Sequence, residues 1–125
     1  MTLIRFTVLA AALAIPRPAL ASCSTSDVCS DVTASLTGHL ILDGVRLDWS
    51  TDSEPETTVY YRVMRYVGAD PSEAVPVTGM MAAAGECDTE EPYSVTDLSG
   101  SMSYTYTLEV WAGNVRSCAV DTVPQ

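Results

Sequence analysis

The stretch Leu98–Asn114, "LSGSMSYTYTLEVWAGN", decides the fold. Tyr104, Tyr106, Leu108, Val110 and Ala112 recur at every second position, with Ser103, Thr105, Thr107, Glu109 and Trp111 between them. Successive side chains of an extended strand leave opposite faces, so a beat of two means a half-buried strand. The first set faces inward and the second outward. Gly113-Asn114 then turns the chain into "VRSCAVDTV", a closing strand.

The same beat runs upstream. "SLTGHLIL" puts Leu36, Leu40 and Leu42 on one parity, and Asp43-Gly44 is hairpin chemistry. "VRLDWS" sends Val45, Leu47 and Trp49 one way, and the loop around Pro55 ends it. In "VYYRVMRY", Val59, Tyr61 and Val63 alternate with Tyr60, Arg62 and Met64. "AVPV" is short, and Pro76 confines it to a sheet edge, where a missing N–H does no harm. A 15-residue connection, "TGMMAAAGECDTEEP", follows; one this long needs a reason. "YSVTDL" then sets Tyr93 and Val95 on one face with Leu98 at the corner. Seven short strands with turn chemistry between them and no convincing helix predict an all-β sandwich.

Ahead of the strands, residues 1–21 read as a secretory signal: Arg5, an apolar run from Phe6 to Ile15, and a small-residue exit at Ala19-Leu20-Ala21. The run is too short to cross a bilayer as a helix. "LASC", Leu20–Cys23, also matches a bacterial lipobox, which would acylate Cys23. Residues 22–33 are a polar, cysteine-bearing leader, and the domain spans 34–124. The chain has four cysteines, Cys23, Cys29, Cys87 and Cys118. An even count in a small exported domain points to two disulfides; acylation of Cys23 would leave an odd thiol. Both readings stand at this point, and both place the protein outside the cytoplasm: periplasmic, extracellular or on the cell surface.

The chain carries 16 acidic residues against 6 basic ones, a net charge of −10, and every cation is arginine. Nucleic-acid binding needs a cationic patch to displace counterions, and this composition opposes one. Adhesion to an anionic membrane is disfavoured for the same reason, so a membrane enters only through a lipid on Cys23. Strong negative charge keeps a small exported protein dispersed.

"VRLDW", "YYRVMR" and "LSGSMSYTYTLEVWAGN", in that order, resemble a fibronectin type III domain. Trp49 stands late in the second strand, Tyr61, Val63 and Arg65 match an aromatic-x-Val-x-Arg run, and Leu98 and Tyr104 have the spacing of Leu-x-Pro-Gly-x-x-Tyr. Gly100-Ser101 replaces the family's Pro-Gly. The resemblance implies a Greek-key sandwich in which Trp49, Tyr61, Leu98, Tyr104 and Tyr106 are structural. Tyr104 would be the tyrosine corner, its hydroxyl reaching back to backbone near the turn. The family's topology would gather the leader, the 51–58 loop, the 78–92 loop and the Gly113-Asn114 turn at one pole. All four cysteines fall there, with Cys87–Cys118 and Cys23–Cys29 the preferred pairs and the crossed pairings open.

The same arrangement makes the third and sixth strands neighbours, pairing Tyr60 with Trp111 and Arg62 with Glu109. Tyr60 and Trp111, beside Met80 and Met81, would form an amphipathic contact surface, unless the long loop folds over them. The Arg62–Glu109 pair reads as an ordinary exposed ion pair of little weight.

Catalysis lacks parts. His39 is the only histidine, it faces outward between Gly38 and Leu40, and no serine or cysteine sits in a nucleophile motif. Zinc lacks its ligands. Asp52, Glu54 and Glu56, with Asp88, Glu90 and Glu91, lack calcium-loop spacing and read as a solvated acidic rim. A carboxylate pair would need a cleft that so small a sandwich does not offer. No catalytic residue, metal or cofactor is expected. The leading expectation is a non-catalytic exported module acting by protein or cell-surface contact. The alternatives are a carbohydrate-binding module using Trp111 and Tyr60, and an envelope protein anchored by lipid on Cys23.

Overall fold

The computed structural model describes residues 23–55 and 59–125; the expected signal segment, residues 1–21, lies outside them. Helix α1 (Thr25–Ser35) precedes eight strands: β1 (Thr37–Ile41), β2 (Gly44–Thr51), β3 (Val59–Val67), β4 (Val75–Pro76), β5 (Met81–Ala82), β6 (Glu91–Asp97), β7 (Tyr104–Ala112) and β8 (Val115–Thr122). One antiparallel sheet runs β1-β2-β6; the other runs β4-β3-β7-β8, with β5 also pairing β3. The described residues form an all-β sandwich with one short α-helix.

The inward beat of the sequence is the core. Val45, Leu47 and Trp49 of β2, Val59, Tyr61 and Val63 of β3, and Tyr106, Leu108 and Val110 of β7 are all buried. Trp49 stacks on Tyr93 at 5.3 Å and 15°, and Tyr61 from the opposite sheet meets both rings at 5.5 and 5.0 Å. Val59↔Ala112 through Val67↔Tyr104 pair without a break, so Tyr60 lies across from Trp111 and Arg62 across from Glu109. Pro76 sits on the outer side of β3, at the sheet edge.

Four expectations need correction. First, the leader contains a helix. Ser24 caps it and Asp27 returns the bond to the cap, a reciprocal pair that satisfies two otherwise unpaired N–H groups. Val28 and Val32, one turn apart, are fully buried and join the core. Ser35 closes the packing by exchanging hydrogen bonds with both backbone groups of Ser50.

Second, the Asp43-Gly44 hairpin is displaced by one residue. Ile41 pairs with Gly44, leaving Leu42-Asp43 as the loop. Gly44 has φ +151°, and a Cβ there would collide with the Asp97 carbonyl. Leu42 is therefore 97% exposed, and Leu40 on the edge strand is also exposed. Gly38 takes the buried position of β1.

Third, Leu98 is outside the core, at 75% exposure. The inward parity of β6 is Tyr93, Val95 and Asp97, so the next residue must face out.

Fourth, Tyr106 rather than Tyr104 closes that end. Tyr106 is fully buried, and its hydroxyl donates to the Asp97 carboxylate at 2.8 Å. It rests on Gly100, where any Cβ would strike it. Tyr104 pairs with Val67 at the strand end, lies partly exposed, and carries the Arg65 guanidinium 4.5 Å over its ring.

The C-terminal segment leaves β8 and crosses to the other sheet. Gln125 exchanges backbone hydrogen bonds with Gly38 and Leu40, covering the free edge of β1.

Candidate functional site

One pole gathers the chemistry. Cys23 pairs with Cys87 and Cys29 with Cys118, at Cα separations of 5.8 and 6.2 Å. The preferred pairing Cys23–Cys29 with Cys87–Cys118 is thus overturned in favour of a crossed one. The helix is the reason. Cys23 precedes the extended Ser24 N-cap, and Cys29 stands five residues past that cap, about 7.5 Å up the axis at ~1.5 Å per residue, so the helix carries the two cysteines apart. Both bonds instead tie the leader and helix to the body, one to the long loop and one to β8.

The long connection has its reason here as well. Within it, β5 pairs with Tyr60 and Tyr61, and Ala83 N–H donates to the Val59 carbonyl. Glu54 N–H donates to the Glu86 carbonyl, and Asp88 N–H donates to the Ser53 hydroxyl. Glu54 is not part of a solvated rim, because its side chain is fully buried. Its carboxylate accepts from the hydroxyls of Tyr61 and Tyr93 and from the Gly85 N–H at 2.6 Å. Burial, then the Glu54 carboxylate, pushes the Tyr61 phenol far above its ordinary range. Asp52, Asp88 and Glu90 are exposed as expected, Glu91 is half-buried, and Glu56 lies outside the described residues. Among the described residues, no group of three His, Cys, Asp or Glu is placed to hold a metal ion.

The proposed contact residues divide. Tyr60, Arg62, Met80, Trp111, Gly113 and Asn114 line a shallow groove of about 350 Å³ on the outer face of the larger sheet. Met80 is exposed and forms one wall. Met81 does not join it: Met81 pairs with Tyr61 and packs against the core, so alternation sends its neighbour Met80 outward. The long loop thus borders the aromatic pair without burying it.

Beneath the groove, Arg62 and Glu109 are more than an exposed ion pair. Glu109 is 5% exposed and accepts from three donors: Arg62 Nε at 2.7 Å, Trp111 Nε1 at 3.1 Å and Arg116 at 3.2 Å. Burial alone would raise its pKa; these three partners outweigh burial and hold it below the usual carboxylate range. Arg62 also lies 5.5 Å over the Trp111 ring. Arg116 reaches this face through a β-bulge. Val110 pairs with Cys118 but Trp111 pairs with Arg116, so Ser117 is the extra residue. A regular register would have put Ser117 opposite Trp111; no turn residue or periodicity marks the irregularity in the sequence.

His39 stands on the smaller sheet, 3.4 Å from the Asp48 carboxylate and 3.1 Å from the Thr37 hydroxyl. Among the described residues no helix is long and apolar enough to cross a membrane. Compared with protein-family models, curated proteins and solved structures, the chain finds no match.

Proposed function

We propose that this chain is a non-catalytic exported module of the fibronectin type III kind, acting by protein or cell-surface contact through the groove of Tyr60, Met80 and Trp111. The observation that carries this reading is the groove itself: two aromatics, a methionine and an arginine sharing one half-exposed face. Those are the residue types enriched at protein interfaces. The strand grouping β1-β2-β6 against β4-β3-β7-β8 supports the family assignment, since immunoglobulin-like sandwiches divide their strands in this way.

Two cysteine pairs support export, because such bonds persist in oxidising compartments. The Cys23 sulfur is committed to Cys87, which favours cleavage after Ala21 over acylation of Cys23. A sugar platform fits the groove less well, since a flat ring face and free polar groups are what stacking on a glycan needs. Here Arg62 lies over the Trp111 ring and the indole N–H is committed to Glu109.

The test is cross-linking and capture from the native envelope with the wild-type chain and with the Trp111→Ala, Tyr60→Ala double variant. The reading expects a captured protein that the double variant loses. Capture unchanged by the double variant, or glycan-array binding lost with Trp111, would replace it.

A further inference from the structure

The arginines are not spread evenly. The described residues hold four: Arg46 pairs with Asp48, Arg65 with Asp97, and both Arg62 and Arg116 with the single carboxylate of Glu109. One guanidinium would balance Glu109. Arg62 lines the groove, and the second guanidinium, Arg116, stands beside it in an adjoining depression, an added positive charge at the groove's margin in a chain whose net charge is −10.

Glu109 already accepts from three donors, so it competes weakly for further ones, while it fixes both guanidinium groups in place. Each guanidinium has five N–H groups and gives one bond to Glu109. The rest have no other partner among the described residues. Asp121 is the next acid on this face. It lines the same depression as Arg116 and Glu109 but lies outside the groove itself, and its carboxylate already accepts from the hydroxyls of Thr107 and Tyr66.

We propose that the groove recognises a polypeptide segment presenting one carboxylate beside an apolar anchor, the anchor entering between Tyr60, Met80 and Trp111 and the carboxylate meeting Arg62 and Arg116. This rests on the groove being the contact site. Charge complementarity selects the occupant at two ranges. At contact, paired guanidinium groups match a carboxylate fork. Around the groove, within the ~8 Å screening length of physiological salt, a partner's further acidic residues meet a strongly acidic surface, so a heavily acidic partner is repelled and a lightly charged one is admitted. A second copy of this chain is disfavoured by the same field.

The probes are four short peptides titrated into the nitrogen-15-labelled protein, read at the Trp111 indole N–H with the buried Trp49 as internal control. N-acetyl-Leu-Trp with a free terminus presents a terminal carboxylate, and N-acetyl-Trp-Glu-amide presents a side-chain one. N-acetyl-Leu-Trp-amide is neutral and N-acetyl-Trp-Lys-amide is cationic. At least one carboxylate peptide is expected to bind about tenfold or more tighter than the neutral peptide, and the stronger of the two identifies the source. Arg116→Gln should abolish that preference and leave neutral-peptide binding unchanged. Arg62 stays on Glu109 in this variant, and the Trp49 resonance reports an intact fold.

Equal binding of charged and neutral peptides, or tighter binding of the lysine peptide, overturns the carboxylate inference and keeps the groove. Silence of all four overturns the groove reading with it. A Trp111 shift with glucuronate and none with the peptides overturns the polypeptide source in favour of an acidic sugar.

Discussion

The buried Glu54 makes a prediction that can be worked through. Among the described residues its carboxylate pairs with no cation, and it is held by two phenols and one amide. Tyr61, the deepest of these partners, is fully buried. Tyr61→Phe removes one hydrogen bond to a charged acceptor, a loss of about 1.5–3 kcal/mol. Glu54→Ala orphans the Tyr61 hydroxyl and removes the acceptor of Gly85, and the expected loss is about 3–5 kcal/mol. The decisive variant is the double one. Once Glu54 is gone, the Tyr61 hydroxyl is a liability, so Tyr61→Phe in that background should cost about zero or restore stability slightly. The coupling energy is then about 1.5 kcal/mol or more. Guanidinium unfolding with disulfides intact, with m-values compared between variants, reads each corner of the cycle. Equal cost of Tyr61→Phe in both backgrounds, or less than about 1 kcal/mol for Glu54→Ala, would refute the idea that this carboxylate bolts the two pole loops to β3.

Three further outcomes follow from named geometry. Burial would raise the carboxyls of Asp97 and Glu109, but Arg65 and Tyr106 on the first, and Arg62, Trp111 and Arg116 on the second, hold both below the usual range. Their contribution is complete above the unfolded carboxylate value of about 4 and is lost as pH falls through the lower folded values, so melting temperature should be flat near neutrality and drop below about pH 4; equal melting at pH 3 and pH 6 would contradict this. Non-reducing peptide mapping should recover Cys23 joined to Cys87 and Cys29 joined to Cys118, and replacing the latter pair, separated by 89 residues, by serine should remove up to about 4–5 kcal/mol; a Cys23–Cys29 peptide would overturn the pairing. Gly44→Ala should cost well over 2 kcal/mol, roughly the upper limit of a left-handed backbone penalty alone, because a Cβ there meets the Asp97 carbonyl, whereas Gly68→Ala, at φ +70° with nothing within 4 Å, should cost only that penalty of about 1–2 kcal/mol; matching losses in a chemical melt would remove the steric argument.

What was legible in the sequence was whatever alternation alone determines. The inward sets of β2, β3 and β7 follow from parity; the cross-strand pairing of Tyr60 with Trp111 needed, besides parity, the strand order that the family resemblance implies. Parity failed wherever a one-residue offset mattered. Leu98 sits one step past the inward beat of β6, and the hairpin loop slid from Asp43-Gly44 to Leu42-Asp43 because Gly44 was needed against the Asp97 carbonyl. Arg116 comes to lie opposite Trp111, beside the groove, through an extra residue that leaves no periodic trace. Helix α1 was legible in principle: Ser24 and Asp27 form a capping pair, and Val28 and Val32 are one turn apart. A segment this short and polar carries too little apolar signal to outweigh its cysteines, and those were read as a loop.

The groove's position follows from how the pole is closed. Cys23–Cys87, Cys29–Cys118 and Glu54 fasten the leader, the helix and the loop segments 51–55 and 83–88 to one another and to the strands. These fastenings reach both sheets, through Cys118 and Tyr61 on the larger and Tyr93 and Ser50 on the smaller. At the groove the outer face of β3 and β7 is bordered by Met80, which β5 pins at its margin. A face bordered by cross-linked loops loses little conformational entropy when a ligand arrives, so a shallow groove with few anchors can still select its partner. If the pole were loosened by reducing both disulfides, binding should weaken through Met80 before Trp111 changes, because Trp111 is held by the β3–β7–β8 ladder and by Glu109 rather than by the loops.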